Sequence, residues 1–100
     1  MPAGKMAVQC SHASVQVTLE SKQKKVDGWV SQGMKKVVLK VKDKKELIHY
    51  QKLAKKAKLK TALITDAART FFKKPTTTTL AIGPDDEQKI DKITGNLRMV

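Results

Sequence analysis

One hundred residues, 40% of them hydrophobic and only 4% aromatic, provide for one small core built from Val, Ile, Leu, Met and Ala. No run approaches the ~20 apolar residues of a membrane span, Met1 to Val8 lacks the apolar stretch of a signal peptide, and the single Cys10 excludes an internal disulfide. The formal charge of +12 points to a polyanionic partner; because Arg69 and Arg98 are the only arginines, the lysine surface suits phosphate contacts better than bidentate reading of bases. A merely solvated lysine-rich surface would carry the same charge. With only His12 and His49 beside Cys10, metal-ligand spacing is absent, so neither a metal nor a cofactor is expected. The expected location is the cytoplasm, with mitochondrial association in a eukaryotic source.

From Lys5 to about Leu19, Met6, Cys10, Ala13 and Val17 recur at helical spacing, with Gln9, His12 and Gln16 on another face. Lys22 to Gln32 reads as a second helix around Val26, Trp29 and Val30, closed by Gly33. Lys35 to Lys42 holds the continuous apolar run Val37, Val38 and Leu39, which suits a strand buried on both faces. Asp43 stands where a helix N-cap belongs, ahead of a helix from Lys44 to Lys58 with an apolar stripe of Leu47, Tyr50, Ala54 and Ala57. Thr61 to Thr65 is the next strand, so strand, helix and strand form a βαβ unit with a parallel pair. A loop then runs through Pro75 to a strand over Thr77 to Ile82, stopped by Gly83 and Pro84. A short helix follows over Asp85 to Ile93, ending near Gly95. The expected class is α/β: one small domain, residues 1–100, with a mixed β-sheet flanked by helices on both faces.

Five stretches in this order carry a resemblance: Gly4 to Ser14 (GKMAVQCSHAS), Gln32 to Val41 (QGMKKVVLKV), Thr61 to Thr70 (TALITDAART), Thr76 to Pro84 (TTTTLAIGP) and Ile90 to Leu97 (IDKITGNL). Together they resemble the type 2 peptidyl-tRNA hydrolases of archaea and eukaryotes. The resemblance implies an enzyme that hydrolyses the ester between a peptide and the terminal ribose of tRNA, with peptidyl-tRNA as its partner. It implies catalytic roles for Lys5, Asp66, Thr70 and Thr78, and it matches Gln9 and His12 to the family's Gln and His on the first helix, here read as substrate-binding. It also implies an apolar strand ahead of Gly4. Since the sequence starts at Met1, a sheet short of one strand is expected, with exposed edges that would admit a homodimer. Phe71, Phe72 and Pro75 depart from the family pattern.

Asp66 follows an apolar strand, and the carboxyl ends of strands are where ligands bind in open α/β sheets; its plain alternative is a helix cap. Lys5 opens a helix, where the macrodipole disfavours a cation but the N–H groups and an ammonium together suit an anion or a developing oxyanion; its alternative is one exposed lysine among many. If the two are neighbours, the carboxylate stays ionised and is a weak base, suited to orienting a water rather than to strong proton abstraction. Thr70 and Thr78 would add hydroxyl hydrogen bonds, while Thr76, Thr77 and Thr79 read as ordinary β-formers. Residues two apart on a helix do not face each other, so Cys10 and His12 are not a dyad. Trp29 reads as a packing anchor, and one of Phe71 and Phe72 as able to stack on a nucleotide. Arg69, Lys73 and Lys74 flank Asp66 in sequence as candidate contacts to tRNA phosphates. The rival from another class is a non-catalytic basic module that binds RNA or protein.

Overall fold

The computed structural model describes residues 1–66 and 76–100. Its elements are helices α1 (Ala3–Glu20), α2 (Gln23–Ser31), α3 (Lys44–Lys56) and α4 (Glu87–Thr94), and strands β1 (Thr61–Asp66) and β2 (Thr76–Ile82). Among the described residues no helix is long and apolar enough to cross a membrane.

The helix boundaries follow local chemistry. Gly33, with φ of 97°, ends α2 by sending its N–H to the Val30 carbonyl, while the next N–H, of Met34, reaches Trp29. A left-handed residue at this position satisfies the last carbonyls of the helix, and only glycine takes that conformation without a Cβ penalty. Asp43 caps α3 by accepting from the Glu46 N–H at 2.9 Å, as its place in the sequence led us to expect. Asp86 caps α4 in the same way, accepting from the Gln88 N–H, and Gly95 closes that helix. Trp29 is an anchor: its indole N–H donates to the Lys35 carbonyl at 2.9 Å, and the Lys36 ammonium lies 5.3 Å from its ring centre.

The chain is α/β as expected, but the sheet differs. β1 and β2 pair antiparallel, from Thr61 opposite Ile82 to Asp66 opposite Thr76, and α1 and α3 both pack against the two strands. The expected parallel pair is absent among the described residues, and with it the mixed sheet. Among the described residues, Lys35 to Lys42 makes one bridge, Leu39 opposite Met99. Its first residues are held by Trp29, and its last pair with the C-terminal segment: Lys40 N–H donates to Arg98 and Val100 N–H to Val38. Val37 and Val38 are therefore about half exposed instead of buried on both faces.

The core is thin. Ala13 and Val17 of α1, Ala54 of α3, Leu59, and Ala62 and Ile64 of β1 are its buried apolar side chains among the described residues. Small side chains allow α1 to approach β1 closely, and a core of this size leaves polar contacts a larger share of the work. Gly83 shows how tight the packing becomes: it has φ of 103°, and a Cβ there would meet Ile90 Cδ1 at 3.0 Å.

Two ion pairs tie the α2 region to the start of α4. Lys35 pairs with Glu87, and Lys25 with Asp85 at 2.9 Å. Burial pushes the Asp85 carboxyl up, but the Lys25 ammonium, the Asp86 N–H and the charge of Lys89 outweigh it and leave the group below its ordinary value of 3.8. A carboxyl held lower in the folded state than in the unfolded chain adds stability in full above its ordinary range, and loses it as pH falls through the lower folded value. Lys25 is half exposed, so solvent limits the contribution to ~1 kcal/mol or less. Asp85→Asn is thus expected to lower the melting temperature near neutral pH, with the gap to the wild type closing as the solution is acidified through the carboxylate range. A gap of constant size across that titration would assign the effect to packing.

Candidate active site

The site is assembled where the start of α1 crosses the ends of both strands. Pro2 precedes α1 without a side-chain cap and no acidic residue lies in the first turn; the side chain there is Lys5. A cation at this end gains nothing from the helix. What it faces accounts for it: Lys5 Nζ lies 3.8 Å from Oδ2 of Asp66, the last residue of β1, with the two side chains 17% and 6% exposed.

One turn further along α1, Gln9 is buried and joins the same carboxylate. Its Nε2 donates to Asp66 Oδ2 at 2.9 Å, and its Oε1 accepts from Thr78 Oγ1 at 3.4 Å. The direction of the amide follows from its neighbours, because an ionised carboxylate only accepts and must therefore take the NH2 end. Gln9 thereby links a residue of β1 to one of β2. Its position with Ala13 and Val17 on the buried stripe differs from the separate face, shared with His12 and Gln16, on which periodicity put it; a polar side chain is buried where it has partners.

Thr78 owes its orientation to a bulge. Ile64 pairs with Thr79 and the next residue, Thr65, with Thr77, so Thr78 is the extra residue on β2. Adjacent strand residues ordinarily point to opposite faces, and an inserted residue breaks that alternation. Both Thr78 and Thr79 consequently turn toward α1: Thr79 Oγ1 donates to the Gln9 main-chain carbonyl at 3.3 Å and lies 3.5 Å from Thr78 Oγ1. Thr77 instead meets Thr65 across the strands, hydroxyl to hydroxyl at 3.2 Å. Thr79 was read as an ordinary β-former, and nothing in four identical threonines marks which is bulged.

Of the residues singled out in the sequence, Lys5, Gln9, Asp66 and Thr78 come together. His12 is exposed on α1, and it takes no part in the hydrogen bonds that join these four. Thr70, Arg69, Lys73 and Lys74 lie outside the described residues, as do Phe71, Phe72 and Pro75. Burial pushes the Cys10 thiol above its ordinary value of 9.0, which keeps it protonated and poorly nucleophilic near neutral pH. No cluster of metal-ligating side chains occurs among the described residues.

Chemically, the arrangement offers an acceptor for a water proton in Asp66, a cation beside it in Lys5 and a hydroxyl in Thr78. Thr78 also lines, with Thr77, Val41, Lys42 and Leu47, a cleft of about 200 Å³ on the α3 side. Nothing in the set is a strong nucleophile, which suits attack by water on an already reactive carbonyl.

Comparison with known proteins agrees with this reading. The family model for Peptidyl-tRNA hydrolase PTH2 matches residues 1–100. The chain is 43% identical over 103 residues to a peptidyl-tRNA hydrolase of Methanocaldococcus jannaschii, covering 100% of this chain and 90% of that protein. It is 43% identical over 99 residues to one of Methanopyrus kandleri, covering 97% and 85%, and 39% identical over 100 residues to one of Methanothermobacter thermautotrophicus, covering 100% and 89%. On the match of its whole length, the chain belongs to the peptidyl-tRNA hydrolase PTH2 family.

Proposed function

We propose that the chain hydrolyses peptidyl-tRNA, cleaving the ester between a peptide and the terminal ribose so that tRNA from stalled or aborted translation is returned to use. The observation that carries this reading is the junction of Lys5, Gln9, Asp66 and Thr78 at one point of a chain that matches the family over its full length. Such a substrate supports a cytoplasmic location, with mitochondrial association in a eukaryotic source.

Each residue has a role consistent with its contacts. The ammonium of Lys5 favours the ionised Asp66 carboxylate, which accepts a hydrogen bond from the attacking water and sets its lone pair toward the ester carbonyl. Water oxygen bonds to the carbonyl carbon, and the excess proton passes by way of the carboxylate to solvent. The carbonyl oxygen takes up negative charge, which Lys5 stabilises. Collapse of the tetrahedral species breaks the bond to the ribose oxygen, which is protonated as it leaves, releasing a peptide carboxylate and a free ribose hydroxyl. Gln9, with both amide ends engaged, is a positioning residue: it fixes the carboxylate and aims the Thr78 hydroxyl. The ester is activated already, so orientation and charge stabilisation suffice without a strong base.

Steady-state kinetics on peptidyl-tRNA test these roles. Asp66→Asn and Lys5→Ala should each lower kcat by about 10²-fold or more, whereas Thr77→Ala should stay within about twofold of wild type. Equal activity in all three would remove the assignment. If the folded wild type binds tRNA in a salt-sensitive way yet releases none, the non-catalytic binding module is the correct reading.

Gln9 and Thr78 give a finer test. Gln9→Leu keeps the volume but deletes both amide contacts, so kcat should fall about tenfold or more with KM little changed, in a protein whose thermal unfolding still shows one transition. Thr78→Val should lower kcat, and Thr78→Ser should recover most of the loss by restoring the hydroxyl. No difference between the valine and serine variants would show that the hydroxyl plays no part.

A further inference from the structure

Gln9 joins Asp66 to Thr78 through its side chain, and so flexible a side chain can do this only while its main chain stays at the right place over the strands. That main chain is met by the next residue of β2. Thr79 Oγ1 donates to the Gln9 carbonyl at 3.3 Å. Within α1 the same carbonyl stands to receive the N–H of Ala13, four residues on, so the hydroxyl takes its second lone pair.

Packing alone does not call for a hydroxyl at this position. Thr79 stands opposite Ile64, which is 4% exposed, and residues opposed across a ladder share a face, so Thr79 is turned inward by the ordinary alternation of the strand. Valine would fill the same space and suits a strand equally. A threonine there sets a partly buried hydroxyl against the helix, which costs free energy unless the group has a partner. Its partner is the residue of α1 that bridges Asp66 and Thr78. Two hydroxyls from adjacent positions of β2 thus restrain one glutamine at two points, Thr78 at the side-chain Oε1 and Thr79 at the carbonyl. At 3.4 and 3.3 Å both bonds are long, so neither alone would fix the helix. Together they oppose rotation of α1 about its axis as well as sliding along the strand. Lys5 lies one turn before Gln9, so a shift of α1 would also carry the ammonium relative to Asp66.

We infer that Thr79 is a further positioning residue for the hydrolysis: its hydroxyl holds the Gln9 main chain so that the amide meets Asp66 and Thr78 while Lys5 stays beside the carboxylate. Thr79 acts through Gln9 and touches no reacting atom. The inference rests on the hydrolase reading for its kinetic consequence, and on geometry for the hold on Gln9 itself.

Kinetics on peptidyl-tRNA and NMR exchange of the Gln9 side-chain amide protons, measured on the same full-length variants, provide the test. Thr79→Val should lower kcat about fivefold with KM within about twofold, since losing one weak restraint displaces the site by a fraction of the ~1 Å that costs ~10²-fold. Thr79→Ser restores the hydroxyl and should recover most of the loss. Thr77→Val, the same chemical change where β2 meets Thr65, should stay within about twofold of wild type. In a Gln9→Leu background, Thr79→Val should change kcat by less than about twofold, because the residue it acts through is gone. Wild-type kcat in Thr79→Val, no recovery in Thr79→Ser, or the same fold loss in both backgrounds would each overturn the inference. The amide is read without turnover: its protons should exchange with solvent several-fold faster in Thr79→Val than in the wild type or Thr79→Ser. Unchanged exchange would remove the hold on Gln9. A wild type inactive on peptidyl-tRNA, with the amide still loosened in the valine variant, would refute the hydrolase reading and leave that hold intact.

Discussion

A carboxylate buried at the end of a strand is the constraint around which this small protein is arranged. Asp66 is only 8% exposed, and an ionised group so placed loses hydration worth several kcal/mol unless protein atoms replace it. Among the described residues Lys5 and Gln9 supply replacement, and both come from α1. The helix must therefore cross the sheet at one place, with its first two turns over the ends of the strands. The small side chains behind it, Ala13 on α1 and Ala62 on β1, allow that approach but do not determine it. In a core with so few large buried side chains, the polar junction sets the register of α1 on the sheet.

The same constraint accounts for the bulge. Gln9 needs a donor for its carbonyl oxygen as well as an acceptor for its NH2 group, since a buried amide half satisfied is costly. A regular β2 would turn either Thr78 or Thr79 toward α1, not both. Inserting Thr78 as an extra residue brings both to α1: one hydroxyl serves the Gln9 side chain and the other its main chain. The local irregularity thus completes a chain from Lys5 through Asp66 and Gln9 to Thr78. Removing Asp66, Gln9 or Thr78 takes a hydrogen-bond partner from its neighbour, and removing Lys5 takes the cation from beside Asp66, so effects of substitution within the group should not be additive.

Much of this was legible in the sequence wherever a single residue type carries a single local meaning. Asp43 before a lysine-rich amphipathic run marks a cap and a helix, Gly33 marks a helix end, and Thr61 to Thr65 reads as a strand with Asp66 directly after it, which the structure takes in as the strand's last residue. What stayed hidden depends on partners distant in the chain. Val37, Val38 and Leu39 look like a buried strand, but their pairing is decided by Trp29 and by Arg98 to Val100, which no local pattern announces. Likewise periodicity sets Gln9 on a face of α1 apart from the apolar stripe, and its burial follows only once Asp66, 57 positions later, is brought against it. Thr78 and Thr79 are indistinguishable from their neighbours because a bulge is a property of the ladder rather than of a residue.

The way charge is distributed joins the site to the rest of the surface. Lys5 is committed to the carboxylate beside it, at 3.8 Å, while most of the chain's other lysines are exposed. A carboxylate tied to an ammonium is a weak base, so little of the rate can come from proton abstraction, and more must come from holding ester and water in a reactive geometry. Such holding draws on binding energy from parts of the substrate remote from the bond that breaks. Phosphates supply that energy in a polyanion, and a chain with a formal charge of +12 has the cations to meet them. Weak chemistry at Asp66 and a strongly cationic chain are then two sides of one arrangement, in which the substrate's own charge helps to fix the reacting ester.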